Sequence, residues 1–335
     1  MAVDTAIPPA LASPPGHTSY RQDGVSALLG AWVTVGGFVD GFAHRNLDTP
    51  ETFFTPWHGI LYSGYLAAAG WLLWLVYRHR AIPEGYSTSV AGVAVFAAGG
   101  IGDMLWHTLF GIEVSVDALL SPTHLLLLVG SLLIISGPIR ARWRDPGYRP
   151  QNLRQISVPL LAVAMGAAQL GFFFQYIDGF SIRLMQVPYR PGSEEGFFEL
   201  VTGIAGILIT TVILMGAVLF LLRRWLPPFG SFTLLFGVVG ILMESLEGYR
   251  FPEDVVAPLL GGLAADGLLL LMAPRWSRPA TIRFFAFLVP LAMWSVRFAV
   301  FERFGDINWP VSAWTGTIVF AGLAGVGLSL LATDP

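Results

Sequence analysis

Residues 36–61 read GGFVDGFAHRNLDTPETFFTPWHGIL, and residues 99–127 read GGIGDMLWHTLFGIEVSVDALLSPTHLLL. Each stretch runs Gly-Gly, Asp-x3-His, a short acidic segment, then Thr or Ser, Pro, one residue and His. Asp40, His44 and His58 of the first therefore recur as Asp103, His107 and His124 of the second. Four of the six histidines in the chain are used this way. Both stretches are set into apolar sequence, where ionisable groups are costly and mark function by default.

Working outward, the whole chain of 335 residues is 54% hydrophobic and only 12% charged, with a mean hydropathy of +0.65. Soluble domains carry about 25% charged residues, so this composition predicts an integral membrane protein with little soluble mass. The net charge of −3 gives no reason to expect nucleic-acid binding. There is no cysteine, which excludes disulfides, thiolate metal sites, iron–sulfur clusters and cysteine nucleophiles. Residues 1–25, rich in Pro, Ala and Ser and without a basic start, read as a flexible tail rather than a signal peptide.

A bilayer crossing takes about 20 apolar residues. Ten stretches qualify, over residues 26–45, 57–77, 88–111, 122–139, 156–178, 199–222, 231–249, 255–273, 282–302 and 311–331. Their hydrophobicity is continuous rather than alternating, so the expected fold is an all-α polytopic membrane bundle, not a barrel. Arginines fall in every second loop: Arg78 and Arg80, then five between Arg140 and Arg154, then Arg223 and Arg224, then Arg275 and Arg278. The alternate loops are acidic. The positive-inside rule then places both termini in the cytoplasm and makes five hairpins that close on the outer side. Residues 26–139 form a duplicated hairpin pair, and residues 140–335 form the remaining six-helix region. The fourth hairpin, over residues 237–266, keeps the glycines and acids of the first two, with Glu244 and Glu247 in place of Asp and His.

Asp40 and His44, like Asp103 and His107, are four apart and share a helix face. The second histidine of each trio follows Thr55-Pro56 or Ser121-Pro122, an N-cap and first-turn signature. It then falls at the third helical position, where the positive helix end favours the neutral imidazole that binds metal. A tight hairpin brings both pieces together. One carboxylate and two imidazoles suit iron(II), copper(II) or zinc, with positions left open. The competing explanations are hydrogen-bonded helix glue, a proton relay, or haem ligation. Haem would leave the aspartates without a role. Whether two mononuclear sites or one dinuclear site result is open at this level.

Elsewhere, Arg297 lies within a span and needs a counter-charge, for which Glu244 or Glu247 is the expected partner. Asp266 reads equally as a proton relay or a helix-contact hydrogen bond. Asp48, Glu51, Glu113 and Asp117 lie over the trios, either gathering cations or simply solvated. Trp57 and Trp106 adjoin the trios and are either site walls or interfacial anchors.

The two hairpins resemble the copper-binding hairpins in the C subunit of particulate methane and ammonia monooxygenases. In that family one membrane hairpin carries Asp, His and His, and a related one carries Asn, His and His. Asp40, His44 and His58 match the first pattern. Asp103, His107 and His124 match the second, with Asp for Asn and a slightly longer gap. The resemblance is confined to residues 36–127, and ten spans exceed what that subunit has. It implies copper, oxygen chemistry on a small apolar substrate, and membrane partner subunits; a homo-oligomer is the other assembly to expect. A zinc-dependent membrane hydrolase of the ceramidase type is the alternative enzyme, with Ser63 and Ser121 available. Membrane desaturases need more histidines than this chain has. Outside enzymology stand a metal transporter, sensor or assembly factor, and a metal-free proton-linked carrier or scaffold.

Overall fold

The computed structural model describes residues 16–47, 53–111, 116–305 and 307–332, which contain helices and no strand. The loop acids Asp48, Glu51 and Glu113 lie outside the described residues, as does the side chain of Asp117. In chain order the helices are α1 (Tyr20–Asn46), α2 (Pro56–His79), α3 (Ser87–Phe110), the short α4 (Val116–Leu120), α5 (Pro122–Arg144), α6 (Leu153–Phe173), α7 (Glu194–Arg224), α8 (Ser231–Ser245), α9 (Glu253–Met272), α10 (Pro279–Phe304) and α11 (Val311–Leu331). All but α4 and α8, nine in number among the described residues, are long and apolar enough to cross a bilayer. The protein is a multi-pass membrane bundle.

Two boundaries differ from expectation. The seventh expected span, 231–249, is the 15-residue α8, about 22 Å long against a hydrocarbon core of about 30 Å. It stops because Gly248 and Tyr249 take left-handed backbone, at φ +68° and +57°. At the other end of the chain, the tail expected over 1–25 is already helical from Tyr20. Ser19 accepts from the Gln22 amide, and Gln22 Oε1 accepts from the Ser19 amide, a complete capping box. The charges that hid this turn are used internally. Asp23 is buried and pairs with Arg142, Nε to Oδ2 at 2.6 Å. Residues 1–15 lie outside the described residues.

Four expected hairpins are packed pairs, α1 on α2, α3 on α5, α8 on α9 and α10 on α11. Helix α6 is central and touches α1, α5, α7 and α8. Glycines set the close approaches. A Cβ on Gly36 would lie 2.7 Å from Leu61 Cα, and one on Gly64 would lie 2.8 Å from the Trp32 ring. At the corresponding positions of the second hairpin, Gly99 would meet the Leu127 nitrogen at 2.9 Å and Gly130 the Phe96 nitrogen at 2.6 Å. Small residues let helix backbones approach in a bilayer, where packing rather than water expulsion holds helices together.

Polar residues inside the bundle finish each other's backbones. Pro138 within α5 has no N–H to give to Ile134, four residues earlier. Ser89 of α3 donates to that Ile134 carbonyl at 2.9 Å. Asp266 of α9 is fully buried and accepts from the Phe232 and Thr233 amides at 3.1 and 2.9 Å. It caps the start of α8, whose own N-cap is Gly230 and has no side chain to offer. Of its two readings from sequence, the helix contact is the one seen.

The close approach yields a direct prediction. Gly130→Val forces side-chain atoms against the Phe96 backbone and is expected to cost about 1–3 kcal/mol, read as a lower thermal midpoint in mild detergent. Gly70, with nothing within 4 Å of its would-be Cβ, should accept Ala without loss. Equal midpoints for the two variants would remove the tight α3–α5 contact from the account.

Candidate metal centre

The end of α1 carries Asp40 and His44, and the start of α2 carries His58. Thr55 caps α2 by accepting from the His58 amide at 3.2 Å, with Pro56 in the first turn. Ser121 and Pro122 do the same for His124 at the start of α5, also at 3.2 Å. The hairpins thus bring together the residues that the sequence spacing singled out. His44 and His58 place Nε2 at 3.6 and 3.4 Å from Asp40 Oδ2. His107 and His124 place Nε2 at 3.5 and 3.4 Å from Asp103 Oδ1. The imidazole pairs are also alike, with centroids 5.6 and 5.8 Å apart and planes inclined by 61° and 65°.

These separations carry chemical meaning. They exceed the usual 2.7–3.2 Å of an N–H···O bond. Two ligand atoms each about 2.1 Å from one ion at a tetrahedral angle stand about 3.4 Å apart. Each trio therefore has the spacing of three ligands around a shared centre. In each group the candidate ligand atoms lie within 4.8 Å of one another, and the groups are separate. The arrangement present is two groups of three candidate ligands.

The far side of each ring is held as well. His58 Nδ1 lies 2.8 Å from the Phe53 carbonyl, and His107 Nδ1 lies 3.3 Å from the Gly111 carbonyl. A carbonyl only accepts, so Nδ1 carries a proton, and in the neutral ring Nε2, the nitrogen beside the carboxylate, is the one left to bind an ion. His124 Nδ1 meets Ser121 Oγ at 2.7 Å. Such outer partners orient metal-binding imidazoles and raise their basicity. Thr123 donates to Asp103 at 3.2 Å, and Asp103 is only 1% exposed. The Phe53 ring stacks on His58 at 5.3 Å.

Both trios open on one cavity of about 290 Å³. Tyr62, one turn beyond His58 on α2, lies between them, within electrostatic reach of both Asp40 and Asp103. Its hydroxyl is buried and has no hydrogen-bond partner among the described residues. Gly100 makes room for it, because a Cβ there would come within 3.0 Å of that hydroxyl. Arg45 lines the cavity, pairs with Glu247 and donates to Gln175 at 3.3 Å. Trp57 and Trp106 do not line it, and Trp106 packs against Phe110 with ring centroids 4.6 Å apart and planes inclined by 49°.

Sequence reasoning missed Tyr62 and the cavity amide Gln169. Both had a usable signal: Tyr62 is four residues after His58, and Gln169 is an amide inside an apolar span. The expected partner of Arg297 is corrected. Its counter-charge is Asp254, with Nη2 and Oδ1 3.2 Å apart. Glu247 is taken by Arg45, and Glu244 accepts from the Phe251 amide at 3.0 Å. Asp254 opens α9 and faces α10, a neighbour relation that loop position alone does not reveal.

The geometry defines a class of site, two carboxylate–imidazole trios facing one intramembrane cavity. Comparison with known proteins adds no name to that class, since no protein-family model, curated protein or solved structure matches this chain.

Removing the Tyr62 hydroxyl tests whether it is structural. Tyr62→Phe should leave the thermal midpoint of chelator-treated protein unchanged or slightly higher, because an unpartnered buried hydroxyl costs about 1–3 kcal/mol. A clear fall would mean that the hydroxyl holds the fold.

Proposed function

We propose that this chain is a membrane metalloprotein that holds two ions, one per trio, with copper as the ion and iron or zinc as the alternatives. The observation that carries the reading is the repeated 3.4–3.6 Å spacing between each carboxylate oxygen and two imidazole nitrogens. Two of the imidazoles are pinned through Nδ1 by backbone carbonyls, which supports metal over helix glue. Glue would be expected to show direct Asp–His bonds near 2.9 Å. The membrane monooxygenase hairpins offer the nearest known chemistry, and the proposed activity is oxygen-dependent oxidation in concert with partner subunits that deliver electrons.

The chain's own residues have definable tasks in that activity. Asp40 and Asp103 supply the negative charge that offsets the ion. The four histidines fix the open side of each site toward the cavity. Phe53 and Phe96 wall off water around Tyr62, with ring centroids 5.7 and 6.1 Å from its ring. A bound copper or iron ion would supply the redox chemistry.

The site is proposed to face the outer side, with both chain ends in the cytoplasm. The arginine-bearing ends gather at one end of the bundle: Arg142 donates to the Thr18 carbonyl, Arg224 to the Trp143 carbonyl, and Arg223 to the Ala332 carbonyl. The trios lie at the opposite end, beside Arg45 and Glu247.

Elemental analysis of protein purified in mild detergent without chelators tests this. Two equivalents of one metal are expected, one in His44→Ala, one in His107→Ala, and none in the double variant. Metal at a hundredfold excess over its Kd should stabilise the fold by about 2.7 kcal/mol for each occupied site. No metal after purification, and none after each ion is offered, would end the reading. Full metal without oxygen consumption, alone or with native partners, would end its oxidative part.

A further inference from the structure

The cavity has a second polar end. Thr34 precedes Asp40 by six residues on α1, and Ser131 follows His124 by seven on the antiparallel α5. At about 1.5 Å of rise per residue, both lie about 9–10 Å deeper in the bundle than the trios. Gln169 of α6 joins them there. Thr34, Ser131 and Gln169 are 3%, 7% and 7% exposed, and all three line the cavity.

Their hydrogen bonds leave one vacancy. The Ser131 hydroxyl, with one proton to give, lies 2.9 Å from the Leu128 carbonyl and 3.0 Å from Gln169 Oε1, and Gln169 Nε2 donates to Thr34 Oγ1 at 2.7 Å. Thr34 passes its own proton to the Gly30 carbonyl at 3.0 Å. A side-chain amide has two N–H groups, and the second one of Gln169 has no partner among the described residues. An unmet buried donor is costly, so the site is built for an acceptor. The three polar groups at this end, Thr34, Ser131 and Gln169, carry no charge, so the acceptor they fit belongs to a neutral molecule. Between the two ends the walls are apolar, with Val33, Phe96 and Leu127 among them.

Size narrows the class. A cavity of about 150 Å³ takes one benzene ring, so 290 Å³ suits about a dozen heavy atoms. Three extended chain bonds cover about 3.6 Å, so about eight bonds span the 9–10 Å between the ends.

We propose that the cavity binds an elongated, largely apolar molecule of about a dozen heavy atoms or fewer, whose single acceptor oxygen docks on Gln169 and whose other end lies at the trios. As a statement about substrate, this rests on the metal reading above. As a statement about binding, it stands separately. The docked oxygen fixes which part of the molecule meets the metal end, so the amide determines the position of attack.

The test uses the full chain in lipid nanodiscs, with empty discs subtracted and concentrations expressed in the bilayer phase. The probes are carbonyl-labelled 2-octanone and n-octane. One saturable equivalent of 2-octanone is expected, with its carbonyl resonance shifted on binding. Octane should bind roughly threefold to tenfold more weakly, the difference that one net hydrogen bond makes. Gln169→Leu should erase that preference and leave the metal content at its wild-type value. Equal affinities for the two probes in the wild type, or no saturable binding, would overturn the proposal without any variant. So would an unchanged preference in Gln169→Leu. A retained octanone preference in protein that takes up no metal would keep the binding site and discard the metal reading.

Discussion

A carboxylate inside an apolar bundle has to be answered by its neighbours, and the first half of this molecule is arranged around two that are. Asp103 is 1% exposed, and its charge meets two imidazoles and a threonine hydroxyl. Leaving such a group unpaired would cost several kcal/mol. Two neutral imidazoles at 3.5 and 3.4 Å would offset only part of that. A divalent cation between them offsets far more, because it brings opposite charge to the oxygen and uses the nitrogen lone pairs at once. Asp40 has the same two neighbours among its contacts, imidazoles at 3.6 and 3.4 Å, in a less buried position.

That arrangement depends on helix spacing. The carboxylate and first histidine come from the end of one helix, and the second histidine from the first turn of the next. They meet because Gly36 and Gly99 bring each pair of helices nearly into backbone contact just below the site. A side chain at either glycine would push the cap of α2 or α5 away and open the trio. The Gly-Gly and Thr/Ser-Pro elements are thus parts of one device, in which close packing sets the depth and the cap sets the direction of the imidazole. In the fourth hairpin the close approach persists, with Gly262 against Phe232 and Thr233, but it holds Asp266 as a cap on α8. Close packing alone therefore does not make a site.

The parts of the structure legible in the sequence are those governed by local rules. Helix existence followed from apolar length, and the trios followed from i,i+4 spacing plus an N-cap signature. What escaped depends on which helices become neighbours. Tyr20–Val25 carries Arg21 and Asp23, which break the apolar run, and only the remote Arg142 explains how Asp23 can be buried. Arg297 had several acids within plausible reach, and the packing of α9 on α10 chose Asp254. Gln169 was visible as a polar residue in a greasy span. Its meaning required α6 to stand against both α1 and α5.

The same accounting separates polar residues that build the bundle from those that serve its cavity. Ser89 answers the carbonyl freed by Pro138, and Asp266 answers the start of α8. Asp178 accepts from the Phe180 and Ser181 amides and the Thr210 hydroxyl, closing the turn after α6. Arg297, whose charge is paired with Asp254 and whose Nε and Nη1 have no hydrogen-bond partner among the described residues, also lies 4.3 Å from the centre of the Phe301 ring. Among the described residues the Tyr62 hydroxyl and the second amide hydrogen of Gln169 have neither answer, and both residues line the cavity that the trios share. In an environment where every unmet donor is penalised, two left open on a single cavity point to a guest that supplies what the helices do not. The trios mark where the proposed chemistry would occur, and these open donors mark how a guest would be held for it.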